Sequence, residues 1–417
     1  MKYGLIGEKL SHSFSKEIHS RLCQYDYELL EIEESRLQSF FEKKSFIGIN
    51  VTIPYKTSVI KYLDFIDDAA KEIGAVNTVV NKGGKLYGYN TDAFGLKALI
   101  QRNGIEIKGK KVLILGGGGT SKTALFVAKN MGAKAIVRVS RTNRPDFVTY
   151  SDANLMHTDS EVLINTTPVG MFPNVKETPI DTRVFKNLKA VVDVIYNPIN
   201  SRLVLSAREK GIKAVGGLYM LVSQAYRSAE LFSTESIDCK KIDEIYNELL
   251  KEKQNIVLIG MPSAGKTTIG SMLSKTLNMP FFDSDDVVNL KTGKTPAEII
   301  KTQGEAAFRQ IESEVIYELS LKNHTIIATG GGVPTVADNV TALKQNGRIY
   351  YIDRPIDLLE ATQDRPLSSC KDDLISLYHK REKLYINAAD KRIVNDKDLC
   401  CAAEEIRKDF CYENTCN

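Results

Sequence analysis

The residues with the plainest chemical meaning form the octapeptide G-M-P-S-A-G-K-T at positions 260–267. A loop of this pattern directs backbone N–H groups towards nucleotide phosphates, and Lys266 reaches the β and γ phosphates. The hydroxyl of Thr267 is then free to bind Mg²⁺. The pattern predicts a kinase or NTPase site, although a glycine turn can match it by chance. The predicted nucleotide contacts are Ser263, Ala264, Gly265, Lys266, Thr267 and Thr268.

Carboxylates downstream of this loop are further candidates for chemistry. Asp283 and Asp285 follow two phenylalanines, and alternation along an extended segment would place both carboxylates on one side. There they could share a metal ion and a hydroxyl group; an acidic cap of the following helix is the alternative. Farther on, three glycines at 330–332 expose N–H groups that suit an anion such as a carboxylate.

The first hundred residues contain a second group of candidates. Lys56 follows a strand-like run and a proline, and a lysine at the exit of a buried strand can hold its ammonium against a reacting oxygen. A solvated surface lysine is the alternative. Asp92 precedes a predicted helix, where it is either a partner for such a lysine or an N-cap. Ser13 and Ser15 offer two hydroxyls to a polyol or carboxylate, unless Ser15 only caps the next helix.

A glycine-rich loop at 116–119 stands between a predicted strand, 111–115, and a predicted helix, 121–131. A further predicted strand at 135–139 completes the spacing of a dinucleotide-binding βαβ unit. Ser121 replaces the third glycine of the G-x-G-x-x-G pattern, so the context carries more weight than the motif.

The end of this further strand discriminates between the two nicotinamide cofactors. An NAD site would place an acidic residue there to bind the ribose 2′-hydroxyl. This chain instead has Ser140, Arg141 and Thr142, with Arg144 beyond them. Two arginines and no acid fit the 2′-phosphate of NADP; a pair of exposed arginines is the alternative.

More than one folded core must position these groups. A chain of 417 residues predicts two to three domains, and 43% apolar with 26% charged residues is typical of a soluble globular protein. A formal net charge of +4 favours neither nucleic acid nor an anionic membrane as a partner. The seven cysteines lack C-x-x-C spacing, which indicates reduced thiols in the cytosol. Alternating short strands and helices predict the α/β class.

Six motifs in the first part of the chain resemble those of shikimate dehydrogenases over about residues 1–250. They are H-S-x-S at 12–15, N-V-T-x-P-x-K at 50–56, G-A-V-N-T at 74–78, N-T-D at 90–92, D-x-x-Y-N-P at 193–198 and G-G-L-x-M-L-x-x-Q-A at 216–225.

The resemblance implies a role for individual residues. Lys56 and Asp92 would form the catalytic pair, since a carboxylate keeps a neighbouring ammonium protonated and oriented. The implied substrate-binding residues are Ser13, Ser15, Thr52, Asn77, Asp92, Tyr196 and Gln224. The implied NADP-binding residues are Gly116, Gly118, Gly119, Thr120, Ser140, Arg141, Thr142, Arg144, Gly217 and Met220.

The rest of the chain, 254–417, resembles shikimate kinases. The motifs are G-x-x-x-x-G-K-T, D-S-D at 283–285, F-R-x-x-E at 308–312, G-G-G at 330–332, R-P-L at 365–367 and R-x-x-L-Y at 381–385. The resemblance implies that Lys266 contacts the ATP phosphates, that Thr267 and Asp283 serve Mg²⁺, and that Asp285 holds the attacking hydroxyl. Arg365 would be a lid arginine over the transferring phosphoryl group. The implied shikimate ligands are Asp285, Arg309, Gly331, Gly332 and Arg381.

The sequence therefore predicts a bifunctional enzyme that uses NADP(H), ATP and Mg²⁺ on 3-dehydroshikimate and shikimate. The expected domains are an α/β substrate domain (1–101 and 218–252), a Rossmann NADP domain (102–217) and a P-loop kinase domain with a parallel sheet (254–417). We expect a cytoplasmic protein without nucleic-acid or membrane partners, and the sequence admits a homo-oligomer. Two alternatives remain: a sensor of shikimate or quinate without turnover, and a quinate-preferring NAD dehydrogenase fused to a kinase.

Overall fold

The computed structural model describes residues 2–10, 13–142, 144–233, 236–360, 370–396 and 398–412. The chain divides into two compact units, Met1–Tyr246 and Asn247–Asn417. Each unit is built from strands that alternate with helices, which confirms the predicted α/β class.

The first unit begins with a six-stranded mixed sheet. Its strands are β1 (Tyr3–Gly7), β2 (Tyr27–Glu31), β3 (Gly48–Val51), β4 (Phe65–Ile66), β5 (Thr78–Lys82) and β6 (Lys85–Tyr89), in the order β2-β1-β3-β5-β6-β4. The helices of this part are α1 (Ser15–Leu22), α2 (Glu34–Lys43) and α3 (Asp68–Ile73). Strand β1 pairs in parallel with β2 and β3, whereas β5 is antiparallel to β3 and β6. The side chains of Ile6, Ile49 and Val79 are fully buried, because these strands lie between covered faces.

A second sheet in the same unit is entirely parallel. Its strands are β7 (Lys111–Leu115), β8 (Ala135–Val139), β9 (Val162–Asn165), β10 (Ala190–Asp193) and β11 (Lys213–Val215), in the order β11-β10-β9-β7-β8. Helices α4 (Asp92–Arg102), α5 (Gly119–Asn130), α6 (Tyr150–Met156), α7 (Arg202–Arg208) and α8 (Leu218–Phe232) accompany it. The chain reverses its direction of winding at β7, and such a switch point opens a crevice at the carboxyl ends of the strands.

Helices α4 and α8 cross at short range. A Cβ atom added at Gly95 of α4 would lie 2.5 Å from the carbonyl oxygen of Met220 in α8. A larger residue at this position would push the helices apart. The close crossing brings the beginning of α4, which starts at Asp92, near the side chain of Gln224 on α8.

Helix α9 (Lys240–Lys253) leads from the first unit into the second. The helix continues to Lys253 and the next strand begins at Asn255, so Gln254 alone stands between two elements. The apolar spacing of Ile242 and Leu249 continues the helix, and lysines in its last turn complement the helix dipole.

The second unit contains a parallel five-stranded sheet. Its strands are β12 (Asn255–Ile259), β13 (Phe281–Asp283), β14 (Ile326–Ala328), β15 (Gly347–Asp353) and β16 (Lys391–Val394), in the order β13-β14-β12-β15-β16. The helices are α10 (Lys266–Leu277), α11 (Ser284–Thr292), α12 (Pro296–Gln303), α13 (Glu305–Ser320), α14 (Ala337–Asn346), α15 (Lys371–Ala388) and α16 (Leu399–Tyr412). Within the described ranges, no helix has both the length and the apolar character needed to cross a membrane.

Candidate active sites

The first candidate site centres on an ion pair between Lys56 and Asp92. The Lys56 ammonium lies 2.5 Å from Oδ2 of Asp92, and the two side chains are 13% and 8% exposed. Asp92 is not an N-cap, since Thr91 occupies that position and Asp92 is the first residue of α4. Its other oxygen, Oδ1, accepts a hydrogen bond of 2.9 Å from the Asn77 side chain. The carboxylate is thus held on both oxygens, and it holds the ammonium in turn.

Asn77 connects this pair to two other elements. Its Oδ1 accepts from the backbone N–H of Thr91 at 2.7 Å, which fixes the orientation of the amide. Its Nδ2 therefore faces Asp92 and also lies 3.4 Å from Oε1 of Gln224. Three residues that are 15 and 132 positions apart in the sequence thus meet at one place.

The serine pair lies at the beginning of α1. Ser13 donates to Oγ of Ser15 at 3.1 Å, and the backbone N–H of Ser15 donates to Ser13 Oγ at 3.3 Å. Ser15 is the first residue of the helix and Phe14 is the N-cap, so the interpretation of Ser15 as a cap is wrong. The Phe14 ring packs against Tyr196 with centroids 5.2 Å apart, and burial raises the Tyr196 pKa to about 12. Tyr196 is therefore a neutral phenol packed against the residue between the two serines.

Two further predicted residues border this region. Thr52 follows β3, and its methyl group would lie 2.6 Å from a Cβ added at Gly7. A Cβ at Gly119, the first residue of α5, would lie 3.3 Å from Cβ of Lys56. The glycine-rich loop therefore runs directly beside the Lys56 side chain. A dinucleotide whose pyrophosphate bound at this loop would therefore lie beside the Lys56 side chain.

The glycine-rich loop fits a dinucleotide. Gly118 is the N-cap of α5, and a Cβ added there would meet nothing within 4 Å, so the backbone is open to a ligand. Gly119 and Thr120 begin the helix, whose N–H groups are available to a pyrophosphate. Ser121 takes the place of the third glycine without a clash, because its hydroxyl donates to the Gly116 carbonyl at 2.6 Å.

The polar residues after β8 form a small surface cluster. Ser140 and Thr142 have hydroxyls 3.3 Å apart, and Nε of Arg144 donates to the Thr142 hydroxyl at 3.0 Å. Arg141 and Arg144 are both exposed, and Nη1 of Arg144 lies 3.1 Å from a Cβ added at Gly117. The Arg144 guanidinium beside the glycine loop and an exposed Arg141 directly after β8, with no carboxylate at positions 140–142, fit a 2′-phosphate.

On the opposite side of this crevice, Gly217 is the N-cap of α8 and Met220 is buried in its first turn. The backbone N–H of Gly217 donates to the carbonyl of Ile195 at 2.7 Å. This bond attaches the start of α8 to the segment after β10. Both of these predicted NADP-binding residues thus belong to a segment fixed at the carboxyl edge of the parallel sheet.

Asp193, at the end of β10, is a fully buried carboxylate. Its oxygens accept from Asn165 at 2.9 Å, from the N–H of Ile195 at 3.1 Å and from Ser201 at 2.5 Å. Burial raises the Asp193 pKa to about 6 against those three hydrogen bonds, which lower it. The sequence motif contained this residue, but gave no indication that it joins the end of β9 to the segment between β10 and α7.

We expect Asp193→Asn to change the pH dependence of local stability. The Asp193 pKa in the folded state, about 6, exceeds its ordinary value of 3.8. The protonated carboxyl therefore stabilises the fold below pH 3.8. This contribution to the free energy of unfolding, about 3 kcal/mol, is lost as the pH rises through 6. An amide does not titrate. Hydrogen exchange of the backbone amides of β9 and β10 is measured for variant and wild type at equal pH. The protection factor of the variant divided by that of wild type should rise between pH 4 and 7. A ratio that does not change with pH would contradict the raised pKa of Asp193.

The second candidate site is the loop before α10. Gly260 and Gly265 have φ values of 148° and 92°, a region that favours glycine. The buried Lys266 ammonium donates to the carbonyls of Gly260 and Met261 at 2.9 and 2.8 Å. The Asn395 side chain donates to the carbonyl of Ala264 at 2.9 Å and thereby anchors the phosphate loop.

Thr267 and Asp283 meet as the motif predicts. The Thr267 hydroxyl donates to Oδ2 of Asp283 at 2.7 Å, and a hydroxyl beside a carboxylate at a phosphate loop suits Mg²⁺. Asp283 ends β13 and caps α11, its Oδ1 accepting from the N–H of Asp285 at 3.0 Å. The predicted alternation along an extended segment is therefore wrong, because Asp285 already lies in the helix. Its carboxylate instead approaches Gly330, 2.8 Å from a Cβ added there.

Arg309 lies against the triple-glycine segment. A Cβ at Gly332 would overlap its guanidinium, so only glycine leaves room for it. Arg309 also donates to the buried Glu312 at 2.7 Å. Burial raises the pKa of Glu312, and the Arg309 charge opposes this shift. The Tyr385 hydroxyl donates to the carbonyl of Gly331 at 2.6 Å, which attaches α15 to the same segment.

These groups line one cavity of about 490 Å³. Its walls include Ser263, Gly265, Lys266, Thr267, Thr268, Asp283, Asp285, Arg309, Glu312, Gly331, Gly332 and Arg381. Three basic residues, Lys266 of the phosphate loop with Arg309 and Arg381, line the same cavity. The cavity can therefore hold an anionic substrate with a nucleotide phosphate. Arg365 lies outside the described residues, as does His12.

Comparison with known proteins assigns the first unit. The NADP(+)-dependent shikimate dehydrogenase of Clostridium beijerinckii is 39% identical over 262 residues, which are 59% of this chain and 96% of that protein. The chain belongs to the shikimate dehydrogenase family. The family model "Shikimate dehydrogenase substrate binding domain" matches residues 5–79, and the family model "Shikimate kinase" matches residues 262–410. The chain is thus a fusion of a shikimate dehydrogenase with a shikimate kinase domain.

Solved structures resemble the dehydrogenase part. Shikimate dehydrogenase 1 from Peptoclostridium difficile is 38% identical, with 60% of this chain and 98% of that chain covered and a TM-score of 0.56. A chorismate mutase/shikimate 5-dehydrogenase fusion from Clostridium acetobutylicum is also 38% identical, with 59% and 96% covered and a TM-score of 0.56. The latter shows that a shikimate dehydrogenase also occurs fused to a different partner domain.

Proposed function

We propose that this chain is a bifunctional enzyme of the shikimate pathway. The dehydrogenase part reduces 3-dehydroshikimate to shikimate with NADPH, and the kinase part phosphorylates shikimate to shikimate 3-phosphate with MgATP. The observation that carries the proposal is that each part keeps a complete pair of reacting groups, Lys56 with Asp92 and Lys266 with Asp285. We therefore propose that both parts are catalytically active.

In the dehydrogenase, Lys56 is proposed as the proton donor to the carbonyl oxygen that becomes the 3-hydroxyl. Asp92 keeps the ammonium charged and aimed, and Asn77 keeps Asp92 aimed. NADPH supplies the hydride when bound. The proposed substrate ligands are Ser13, Ser15, Thr52, Asn77, Tyr196 and Gln224, and Arg141 with Arg144 would hold the 2′-phosphate.

In the kinase, Asp285 is proposed to accept the proton of the 3-hydroxyl as its oxygen attacks. Lys266 neutralises charge on the phosphates, while Thr267 and Asp283 hold the metal. Mg²⁺ and ATP supply the charge-neutralised phosphoryl group when bound. Arg309 and Arg381, with the N–H groups of Gly331 and Gly332, suit the substrate carboxylate, and Arg365 is proposed to cover the transferring group.

The domain organisation and surroundings are part of the proposal. We assign residues 1–101 with 218–252 to the substrate domain, 102–217 to the NADP domain and 254–417 to the kinase domain. The cytoplasm is the proposed location, since NADPH and ATP are both available there. The proposed partners are small molecules, without nucleic acid or membrane, and a homo-oligomer is compatible with them.

Two assays on one purified preparation test the function. Shikimate with NADP⁺ should give cofactor reduction, and shikimate with MgATP should release ADP. We expect turnover in both, and faster reduction of NADP⁺ than of NAD⁺. A preference for NAD⁺ and quinate would remove Arg141 as a 2′-phosphate ligand. Binding of shikimate without turnover in either assay would refute the proposed enzymatic activities. It would instead support the alternative of a shikimate-sensing protein.

A further inference from the structure

A buried polar cluster adjoins the Asn77 side chain. We call it the Ser228 network; its members are Asn50 on β3, Thr78 on β5, Thr91 before α4 and Ser228 on α8. All four side chains are at most 5% exposed. Oγ of Ser228 lies 2.8 Å from Nδ2 of Asn50, 2.9 Å from the Thr78 hydroxyl and 3.0 Å from the Thr91 hydroxyl. One serine thus joins three elements that carry substrate-site residues.

The donors and acceptors in this network are compatible with the following arrangement of protons. The Tyr27 hydroxyl donates to Oδ1 of Asn50 at 2.7 Å, so the Asn50 amide group must face Ser228. Ser228 donates its own proton to the backbone carbonyl of Gln224 at 3.0 Å. Its oxygen is therefore left to accept from Asn50 and from Thr91. Every hydroxyl proton then has one acceptor.

The same arrangement extends to the catalytic pair. With its proton on Ser228, the Thr91 oxygen accepts from Nδ2 of Asn77 at 3.0 Å. The Thr78 hydroxyl donates to Oδ1 of Asn77 at 3.1 Å. Nδ2 of Asn77 is thereby oriented towards Asp92, as described above. The chain of hydrogen bonds runs from Tyr27 through the Ser228 network to Asp92.

We infer that Ser228 is a positioning residue for the dehydrogenase reaction, acting through Asn77 and Gln224; this inference rests on the proposed function of that site. Without the Ser228 oxygen, the Thr91 proton must turn to Oγ1 of Thr78, Oδ1 of Asn77 or Oε1 of Gln224, which lie 3.2, 3.2 and 3.4 Å away. Asn77 and Gln224 are proposed substrate ligands, and Thr78 is hydrogen-bonded to Asn77 through its own hydroxyl. The loss is transmitted to substrate binding although Ser228 touches no substrate.

Ser228→Ala tests this role in the full chain, with Ser223→Ala as the matched control. Ser223 lies on the same helix and is equally buried, but its hydroxyl donates to the Tyr219 carbonyl at 2.8 Å and lies outside the network. We expect the dehydrogenase KM for shikimate to rise about tenfold in Ser228→Ala, which corresponds to loss of one buried hydrogen bond. The KM for NADP⁺ and the kinase KM for shikimate should stay within twofold of wild type.

A second variant guards against a failure of Ser228→Ala to fold. Thr78→Val keeps the shape of the buried side chain and removes only the hydroxyl, so the same rise in shikimate KM is expected. Equal KM values for Ser228→Ala and Ser223→Ala, or a Thr78→Val variant that matches wild type, would overturn the inference. Absence of dehydrogenase turnover in the wild-type chain would instead overturn the proposed function, so the two failures are distinguishable.

Discussion

Lys56→Ala should reduce dehydrogenase turnover about 10³-fold and leave kinase turnover unchanged. The variant removes the group proposed to move a proton, and general acid–base catalysis contributes roughly 10²–10⁴-fold. It also leaves the Asp92 carboxylate, which is 8% exposed, without its ammonium partner. Steady-state rates with NADP⁺ and with MgATP, taken on the same preparation, measure both effects.

Removal of the Lys56 ammonium from the buried Asp92 carboxylate can also destabilise the fold, so this prediction needs controls. Lys56→Met keeps most of the apolar stem and should lose as much turnover as Lys56→Ala. Lys61→Ala, in the nearby 3-10 helix Ser58–Tyr62, removes an exposed lysine whose ammonium lies over the Tyr62 ring, and should retain full activity. Dehydrogenase turnover within tenfold of wild type in Lys56→Met would remove Lys56 from the proton-transfer role.

Lys266→Met should have the opposite effect, reducing kinase turnover about 10²–10³-fold while dehydrogenase turnover stays at the wild-type rate. A single preorganised donor that stabilises transition-state charge contributes this much in other enzymes. The methionine preserves the buried stem, but cannot donate to phosphate oxygens. ADP release at saturating shikimate, with the affinity for ATP measured separately, distinguishes lost chemistry from lost binding.

The matched control for this variant lies on the same helix. Lys275 is exposed in the last turn of α10, and Lys275→Ala should leave both activities unchanged. A kinase that tolerates Lys266→Met would indicate that the ammonium serves only the carbonyls of Gly260 and Met261, which it contacts in this structure. A fall in dehydrogenase turnover would reveal coupling between the two activities that neither candidate site accounts for.

The sequence determined the local chemistry because each motif is short and contiguous. The phosphate loop at 260–267, its lysine and its threonine could be recognised from spacing alone, since a strand, a glycine turn and a helix start must follow one another directly. The strands Lys111–Leu115 and Ala135–Val139 were predicted with the bounds that they have, because each is a short run of mostly apolar residues. The resemblance to the two families, and the reactions that it implies, likewise rested on contiguous motifs.

Only the tertiary structure decided how distant groups meet. Asp285 reaches its position from a helix rather than a strand, because Asp283 caps α11. The Ser228 hydroxyl meets the side chains of Thr78 and Asn50, which are 150 and 178 positions away in the sequence, and no local pattern marks such a contact. Periodicity and capping are encoded within a few residues. The hydrogen-bond partner of a buried polar group, by contrast, can come from any part of the chain. Which partner it finds depends on how the sheets and α8 pack together.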